Sequence, residues 1–178
     1  MTPAINTARK AKVPYTVHEY VHDAASESYG LEAAEKLSVA PERVFKTLVV
    51  KLDGRKLGVA VLPVSAMLSM KQIARAAGAK KAIMADKTEV ERTTGYVLGG
   101  VSPLGQKKRL KTFIDQTATG FTSIYISAGR RGLEIELPPE QLAELTGATF
   151  TALVVHAGNS VTKAHSHRLQ GGVEKAQD

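Results

Sequence analysis

The sequence predicts an α+β domain: mixed, largely antiparallel strands curl into a barrel-like core, and helices surround it. Three observations lead there. About seven short runs read as strands by alternation or by β-branched content. A strong hairpin signal joins two of them. Helical segments with start and stop residues interrupt the rest.

In chain order, Thr2-Pro3 supplies an N-cap and a first-turn proline for a helix running to Ala11. Residues 15–21 read as a strand. Residues 28–37 read as a helix, favoured by the Glu-Ala-Ala-Glu run at 32–35. Residues 44–52 and 56–62 are strands around Asp53-Gly54, the dipeptide of a primed hairpin turn. Ser69 with Gln72, and Asp86 with Glu89, are capping boxes whose helices end at Gly78 and Gly95. Residues 81–85 between them form a short strand or connector. Strands follow at 110–114 and 123–127. A turn at Gly129-Arg130-Arg131-Gly132 leads into an alternating strand at 133–137. Pro138-Pro139 opens a helix closed by Gly147, and residues 149–155 are the last strand. Beyond His156 the periodicity stops, which divides the chain into a domain at 1–158 and a polar, mobile tail at 159–178. His165 and His167 in that tail read as solvated side chains rather than metal ligands.

Composition narrows the function. The 178 residues suit one domain, and 43% hydrophobic content is enough for a buried core. Aromatic residues are 5% with no Trp, so base-stacking platforms are poorly supplied. The net charge of +7 fits a polyanionic partner or a generic basic surface; clustering separates the two. Cys is absent, which excludes disulfides, thiolate metal sites and a protein Cys nucleophile. No apolar run approaches the ~18 residues that span a bilayer, and no signal-peptide pattern opens the chain. The expectation is a cytoplasmic protein with no membrane contact.

Few residues suggest chemistry. Alternation along 44–52 places Lys46 on the same face as Val44, Leu48, Val50 and Leu52. An ammonium there needs an anionic partner from the protein or a ligand, unless it snorkels to the strand end. Residues 99–109, Gly-Gly-Val-Ser-Pro-Leu-Gly-Gln-Lys-Lys-Arg, combine a loop whose backbone can approach a ligand with a basic flank suited to phosphate. The segment matches neither a Walker loop nor a dinucleotide fingerprint, and a plain loop with a solvated flank fits equally. Glu134 and Glu136 share one strand face, which reads as acid/base chemistry or, more simply, a solvated face beside Arg130 or Arg131. Tyr20 and His18 share a face of the first strand, so either can reach a pocket. No Ser-His-Asp signature or metal-ligand cluster is visible.

Val44-Phe45-Lys46-Thr47-Leu48, the Gly-rich run from Gly99 to Leu110, the stretch Arg130-Arg131-Gly132-Leu133-Glu134-Ile135-Glu136-Leu137 and the opening Met1-Thr2-Pro3-Ala4 together resemble the YbaK/EbsC family of aminoacyl-tRNA deacylases. The likeness runs to about residue 155 and is nearest the branch acting on Cys-tRNA(Pro). It implies a barrel-like editing domain, with Lys46 engaging the terminal nucleotide. It implies a substrate pocket with Tyr20, Tyr29 and Thr47, and a loop from Gly99 to Pro103 around the aminoacyl group. In the reaction it implies, the substrate thiol attacks its own ester and releases a cyclic thiolactone. Backbone N–H groups of Gly99, Gly100, Val101 and Ser102 then meet the developing oxyanion. Tyr29 stands where Phe is usual, and Glu134 where Asp is usual. Charge adds Lys107, Lys108, Arg109 and Arg131 as tRNA phosphate contacts. The expected partners are the acceptor end of an aminoacyl-tRNA and prolyl-tRNA synthetase; no cofactor or metal is expected. An Ala-tRNA(Pro) hydrolase of the same superfamily and a non-catalytic tRNA- or synthetase-binding module are the alternatives.

Overall fold

The computed structural model describes residues 1–26 and 28–155. Its elements are α1 (Pro3–Ala11), β1 (Thr16–Glu19), α2 (Tyr29–Leu37), β2 (Phe45–Leu52), β3 (Lys56–Pro63), α3 (Met70–Ala77), β4 (Ala82–Met84), α4 (Lys87–Thr94), β5 (Lys111–Asp115), β6 (Ile124–Arg130), β7 (Leu133–Leu137), α5 (Pro139–Thr146) and β8 (Thr149–Thr151). The expected α+β class and the mixed, mostly antiparallel pairing are present: β3–β5 and β5–β8 are parallel, and the other strand pairs antiparallel.

Local chemistry explains most boundaries. The Thr2 hydroxyl accepts from the Ile5 N–H at 3.2 Å and starts α1. The hairpin turn is of the primed type, with positive φ at Asp53 (51°) and Gly54 (67°). The Arg55 N–H closes it onto the Leu52 carbonyl at 3.0 Å. The capping boxes form only half of their bonds. Ser69 accepts from Gln72 N–H and Asp86 from Thr88 N–H. Glu89 instead reaches across to Lys51 at 3.2 Å. Gly78, Gly95 and Gly147 end their helices in the left-handed conformation, as expected.

The barrel does not close. A three-stranded sheet, β1-β7-β6, and a five-stranded sheet, β4-β2-β3-β5-β8, meet at one parallel bridge between Val44 and Tyr125. β1, four residues long and mostly exposed, ends the smaller sheet, and β4 and β8 end the larger one. The strand expected over 15–21 stops early because the chain leaves the sheet after Tyr20, whose N–H still reaches the Gly132 carbonyl at 3.0 Å. The strand expected over 149–155 pairs only to Thr151 and returns at a Val154–Leu68 bridge.

Both faces of the five-stranded sheet are buried. Phe45, Val49, Val59 and Val61 pack with α1 and the smaller sheet, including Ile126 and Ile135. Val50, Leu52, Ala60 and Leu62 pack under α3 through Ile73 and Ala74. A smaller cluster of Ala33, Ala34, Val44, Val64 and Tyr125 seats α2 at the junction of the sheets. Residues 156–178, which include the predicted tail and His165 and His167, lie outside the described residues. Among the described residues no helix is long and apolar enough to cross a membrane.

Two glycines separate conformational strain from steric strain. A Cβ on Gly54 would meet nothing within 4 Å, so Gly54→Ala should cost only about 1 kcal/mol for the left-handed backbone. A Cβ on Gly105 would lie 2.6 Å from the Pro3 carbonyl carbon, at a φ of +70°. Gly105→Ala should therefore lose about 3 kcal/mol. Urea midpoints of the two variants check the order.

Candidate functional site

A cleft of about 290 Å³ opens where β2 loses its outer neighbour. β4 covers that edge only at Val50–Leu52, and the Ala85 N–H adds a bond to the Val49 carbonyl. Residues Phe45 to Leu48 are left to line the cleft. The start of α2 (Ser28, Tyr29, Gly30) forms one wall, and Leu98, Gly99 and Val101 another. Tyr20, Ser127 and Glu134 complete it. Ser28 makes no side-chain cap, and the positive end of α2 lies at the cleft.

Lys46 is half-buried on the α3 side of the sheet. Its ammonium donates to the Ala66 carbonyl at 2.7 Å. It has no carboxylate within ion-pair distance among the described residues, and burial lowers its pKa from the ordinary lysine value. Thr47 points the other way, by alternation. Its hydroxyl is the one buried side-chain oxygen or nitrogen, among the described residues, without a hydrogen-bond partner. Such groups in native structures call for an explanation, and a ligand is one.

Glu134 and Glu136 do not form a solvated face, and neither meets Arg130 or Arg131. β7 runs between β1 and β6, where His18, Tyr125 and Ser127 stand as cross-strand neighbours of the two carboxylates. Glu134 is 7% exposed, and burial pushes its pKa up to about 8. At neutral pH it is a carboxylic acid, able to donate as well as accept. Tyr20 is pushed up to about 12 by burial and then by the Glu134 charge, so it too stays neutral. Glu136 is the opposite case. Burial raises its pKa, but bonds from Ser123 and His18 outweigh that and hold it below the usual range. His18 at 2.9 Å and Arg43 at 3.3 Å tie it into the structure. His18 therefore braces the sheet while Tyr20 reaches the cleft.

The two glycines of the loop are needed for packing as well as approach. A Cβ on Gly99 would lie 2.5 Å from Arg131 Nε and 2.7 Å from the Tyr29 ring. One on Gly100 would lie 2.8 Å from Arg130 Cα. Arg131 stacks over Tyr29 at 4.2 Å and donates to the Leu98 carbonyl at 2.8 Å, pinning the loop beside α2. The cleft thus gathers Tyr20, Tyr29, Lys46, Thr47, Gly99, Val101 and Glu134, with Arg131 at its rim. Other predicted residues lie elsewhere. Gly100 packs behind the loop on Arg130. Ser102 is fully buried, its hydroxyl accepting from the Leu104 N–H at 3.2 Å. Pro103 and Arg109 line a separate cavity of about 210 Å³ near α1 and α5. Lys107 and Lys108 donate backbone N–H groups to Thr94 and Thr93 at the end of α4.

Sequence reasoning missed Ser127, visible only through cross-strand register, and Glu32, read there as a helix former. Glu32 accepts from His22 at 2.8 Å and from the Asp23 N–H at 2.6 Å, and pairs with Lys36 at 3.0 Å. Burial raises its pKa, but these partners together bring it down to about 2. They hold the loop between Tyr20 and Tyr29, and so one wall of the cleft. Three histidine, cysteine, aspartate or glutamate side chains placed to hold a metal are not found among the described residues.

A small mixed-sheet domain with a lysine-bearing cleft beside a glycine loop fits one class well. The Aminoacyl-tRNA editing domain family matches residues 26–145, and the chain belongs to that family. The Enterococcus faecalis protein named "Putative Cys-tRNA(Pro)/Cys-tRNA(Cys) deacylase EbsC" is 40% identical over 156 residues, covering 85% of this chain and 92% of that protein. Bacillus subtilis YwhH, described as uncharacterized, is 30% identical over 115 residues, 65% of this chain and 73% of its own. Among solved structures, "a putative trans-editing enzyme for prolyl tRNA synthetase" superposes with a TM-score of 0.74 at 24% identity, covering 86% of this chain and 93% of that one. At that identity the likeness shows the fold alone.

Two carboxylates should give opposite pH signatures in stability. The Glu134 pKa rises from 4.5 to about 8 on folding, so the folded state binds the extra proton. Its contribution is complete below pH 4.5 and is lost as pH rises through about 8. Glu134→Gln should abolish that alkaline decline. The Glu32 pKa falls to about 2, so its contribution is present above pH 4.5 and lost as pH falls towards 2. Glu32→Gln should remove that acid sensitivity and lower stability at pH 7. Urea unfolding from pH 3 to 9 reads both.

Proposed function

We propose that this protein is a trans-editing deacylase that removes Cys from tRNA(Pro), and from tRNA(Cys) through the same acceptor end. The observation that carries the reading is Lys46: an ammonium in the cleft that no carboxylate answers among the described residues. An anionic ligand group would supply the missing charge, and the terminal ribose-phosphate of a tRNA is such a group. Family membership and the 40% identity to the E. faecalis protein support the substrate class.

The reaction needs a nucleophile, and the cleft supplies no activated one. Cys is absent from the chain. Among the described residues, no histidine hydrogen-bonds the cleft hydroxyls of Ser28, Thr47 or Ser127: His22 is held by Glu32 and His18 by Glu136. Glu134, protonated at neutral pH, is a poor base for activating water. A substrate thiol meets the need. Its sulfur attacks the ester carbonyl, the carbon–oxygen bond to the ribose breaks, and the thiol proton ends on the released ribose hydroxyl. The products are free tRNA and a cyclic thiolactone. The protein's part is positioning. Lys46 anchors the ribose-phosphate. The backbone N–H groups of Gly99 and Val101, the loop residues that line the cleft, stabilise the oxyanion, while the Gly100 N–H is spent on the Val97 carbonyl at 2.9 Å. Pro103 shapes that loop, and Tyr20, Tyr29, Thr47 and Glu134 contact the aminoacyl group. Residues 1–158 form the editing domain. Prolyl-tRNA synthetase, which charges tRNA(Pro), is the protein such a domain would work beside.

An acyl panel on one tRNA tests the mechanism. Cys should be released at least ~100-fold faster than Ala, Ser or Pro, because only Cys carries the attacking group. Ala released as fast as Cys would end the thiol mechanism. No release of any acyl group at stoichiometric protein would leave a binding module only. Lys46→Ala should lower deacylation at least ~100-fold with an unchanged urea midpoint. Near-native turnover in that variant would remove Lys46 from the site.

A further inference from the structure

A second basic surface lies on the same side of the five-stranded sheet as the Lys46 side chain. A groove of about 430 Å³ between α3 and β4 is lined by Lys71, Arg75, Lys80 and Lys81 above a floor that includes Met70 and Ala74. All four basic residues are exposed. Elsewhere many cations are answered: Lys36 by Glu32, Arg43 by Glu136, Lys51 by Glu89 and Arg130 by Glu19. The four groove residues have no carboxylate within ion-pair distance among the described residues. Asp53, which lies beside them, accepts instead from the backbone N–H groups of Lys80 and Lys81 at 3.0 and 2.9 Å. That contact fixes the turn carrying both lysines and leaves their ammonium groups outward.

Position gives the patch a direction. Lys71 and Arg75 are one helical turn apart on one face of α3. Lys80 and Lys81 follow the Gly78 stop and face them across the groove. α3 begins four residues after Ala66, whose carbonyl holds the Lys46 ammonium. Ala66, Met70 and Leu48 pack on one apolar cluster with Ile73. Leu48 of the cleft and Met70 of the groove thus belong to one apolar cluster on the same side of the sheet. The groove holds no aromatic side chain and no acidic one, so it offers charge to a backbone and little to a base.

We infer that this groove receives phosphates of the tRNA acceptor stem, leading away from the terminal nucleotide held at Lys46. The inference rests on the aminoacyl-tRNA reading of the cleft. It assigns sequence-independent affinity to α3 and the turn before β4 rather than to Lys107, Lys108 and Arg109, which line neither the cleft nor the groove. Recognition of this kind tolerates different tRNA bodies, since phosphate contacts carry no sequence information.

The test uses the full chain with Lys71, Arg75, Lys80 and Lys81 all changed to Ala, and the milder Lys71→Gln/Arg75→Gln pair. Fluorescence anisotropy follows binding of uncharged tRNA(Pro) across salt concentrations. Loss of four phosphate contacts should flatten the slope of log affinity against log salt by about 3, and the pair by about half of that. Cys-tRNA(Pro) cleavage should show KM raised at least ~10-fold with kcat unchanged, while a Cys ester of a short CCA fragment is cleaved at the wild-type rate. Wild-type slope and KM in both variants would overturn the groove, as would transfer of the salt dependence to Lys107→Ala/Lys108→Ala/Arg109→Ala. If the wild type cleaves no Cys-tRNA yet the groove variants lose salt-dependent binding, the groove stands and the deacylase reading falls.

Discussion

The register of β2 against β3 decides which side chains reach the cleft. Eight residue pairs, from Phe45–Pro63 to Leu52–Lys56, are held in step by the two left-handed residues of the Asp53-Gly54 turn. A slip of one residue would exchange the faces of Lys46 and Thr47 and drive Val49 and Val50 out of their cores. Because both faces of this sheet are buried, that slip would cost apolar burial on each side. The turn and the two cores thus enforce the same register, and the functional residues are carried by it.

Charge in the site is set by burial wherever no partner answers it. Glu134 and Glu136 sit two residues apart on one strand face, yet one is a neutral acid at pH 7 and the other a carboxylate. The difference is supplied by neighbours: Ser123, His18 and Arg43 all answer Glu136, and nothing answers Glu134. Tyr20 is likewise kept neutral by burial. Among the described residues, Lys46, the Arg131 guanidinium at the rim and the start of α2 bring positive charge to the cleft. A cleft with positive charge and neutral hydrogen-bond donors suits an anion that also carries an ester carbonyl.

Much of the fold was legible because its signals are local. Thr2-Pro3, Asp53-Gly54, Ser69, Asp86 and the stop glycines act within a few residues, and the structure uses each of them. The open barrel was not legible, since it depends on which strands end each sheet, and pairing between distant strands leaves no local signal. Lys46 was legible as an anomaly, because alternation put an ammonium among apolar side chains. Glu134 was misjudged because alternation tells which face a residue shares but not whether that face is covered. Ser127 and Glu32 carried no local signal at all. One enters through cross-strand pairing, the other through a loop that folds back on its own helix.

By itself the sequence determined the elements, the hairpin register, the stranded position of Lys46 and the glycine loop, because propensity, turn chemistry and periodicity act over a few residues. Tertiary structure alone decided that the loop lies against Tyr29 and Arg131, that Ser102 and Pro103 turn away from the cleft, and that Glu134 loses its charge. It also decided that the basic residues of α3 and of the turn before β4 share a sheet face with Lys46, while Lys107 to Arg109 do not line the cleft. These outcomes depend on what residues distant in the chain exclude from water, and no window along the sequence contains both partners.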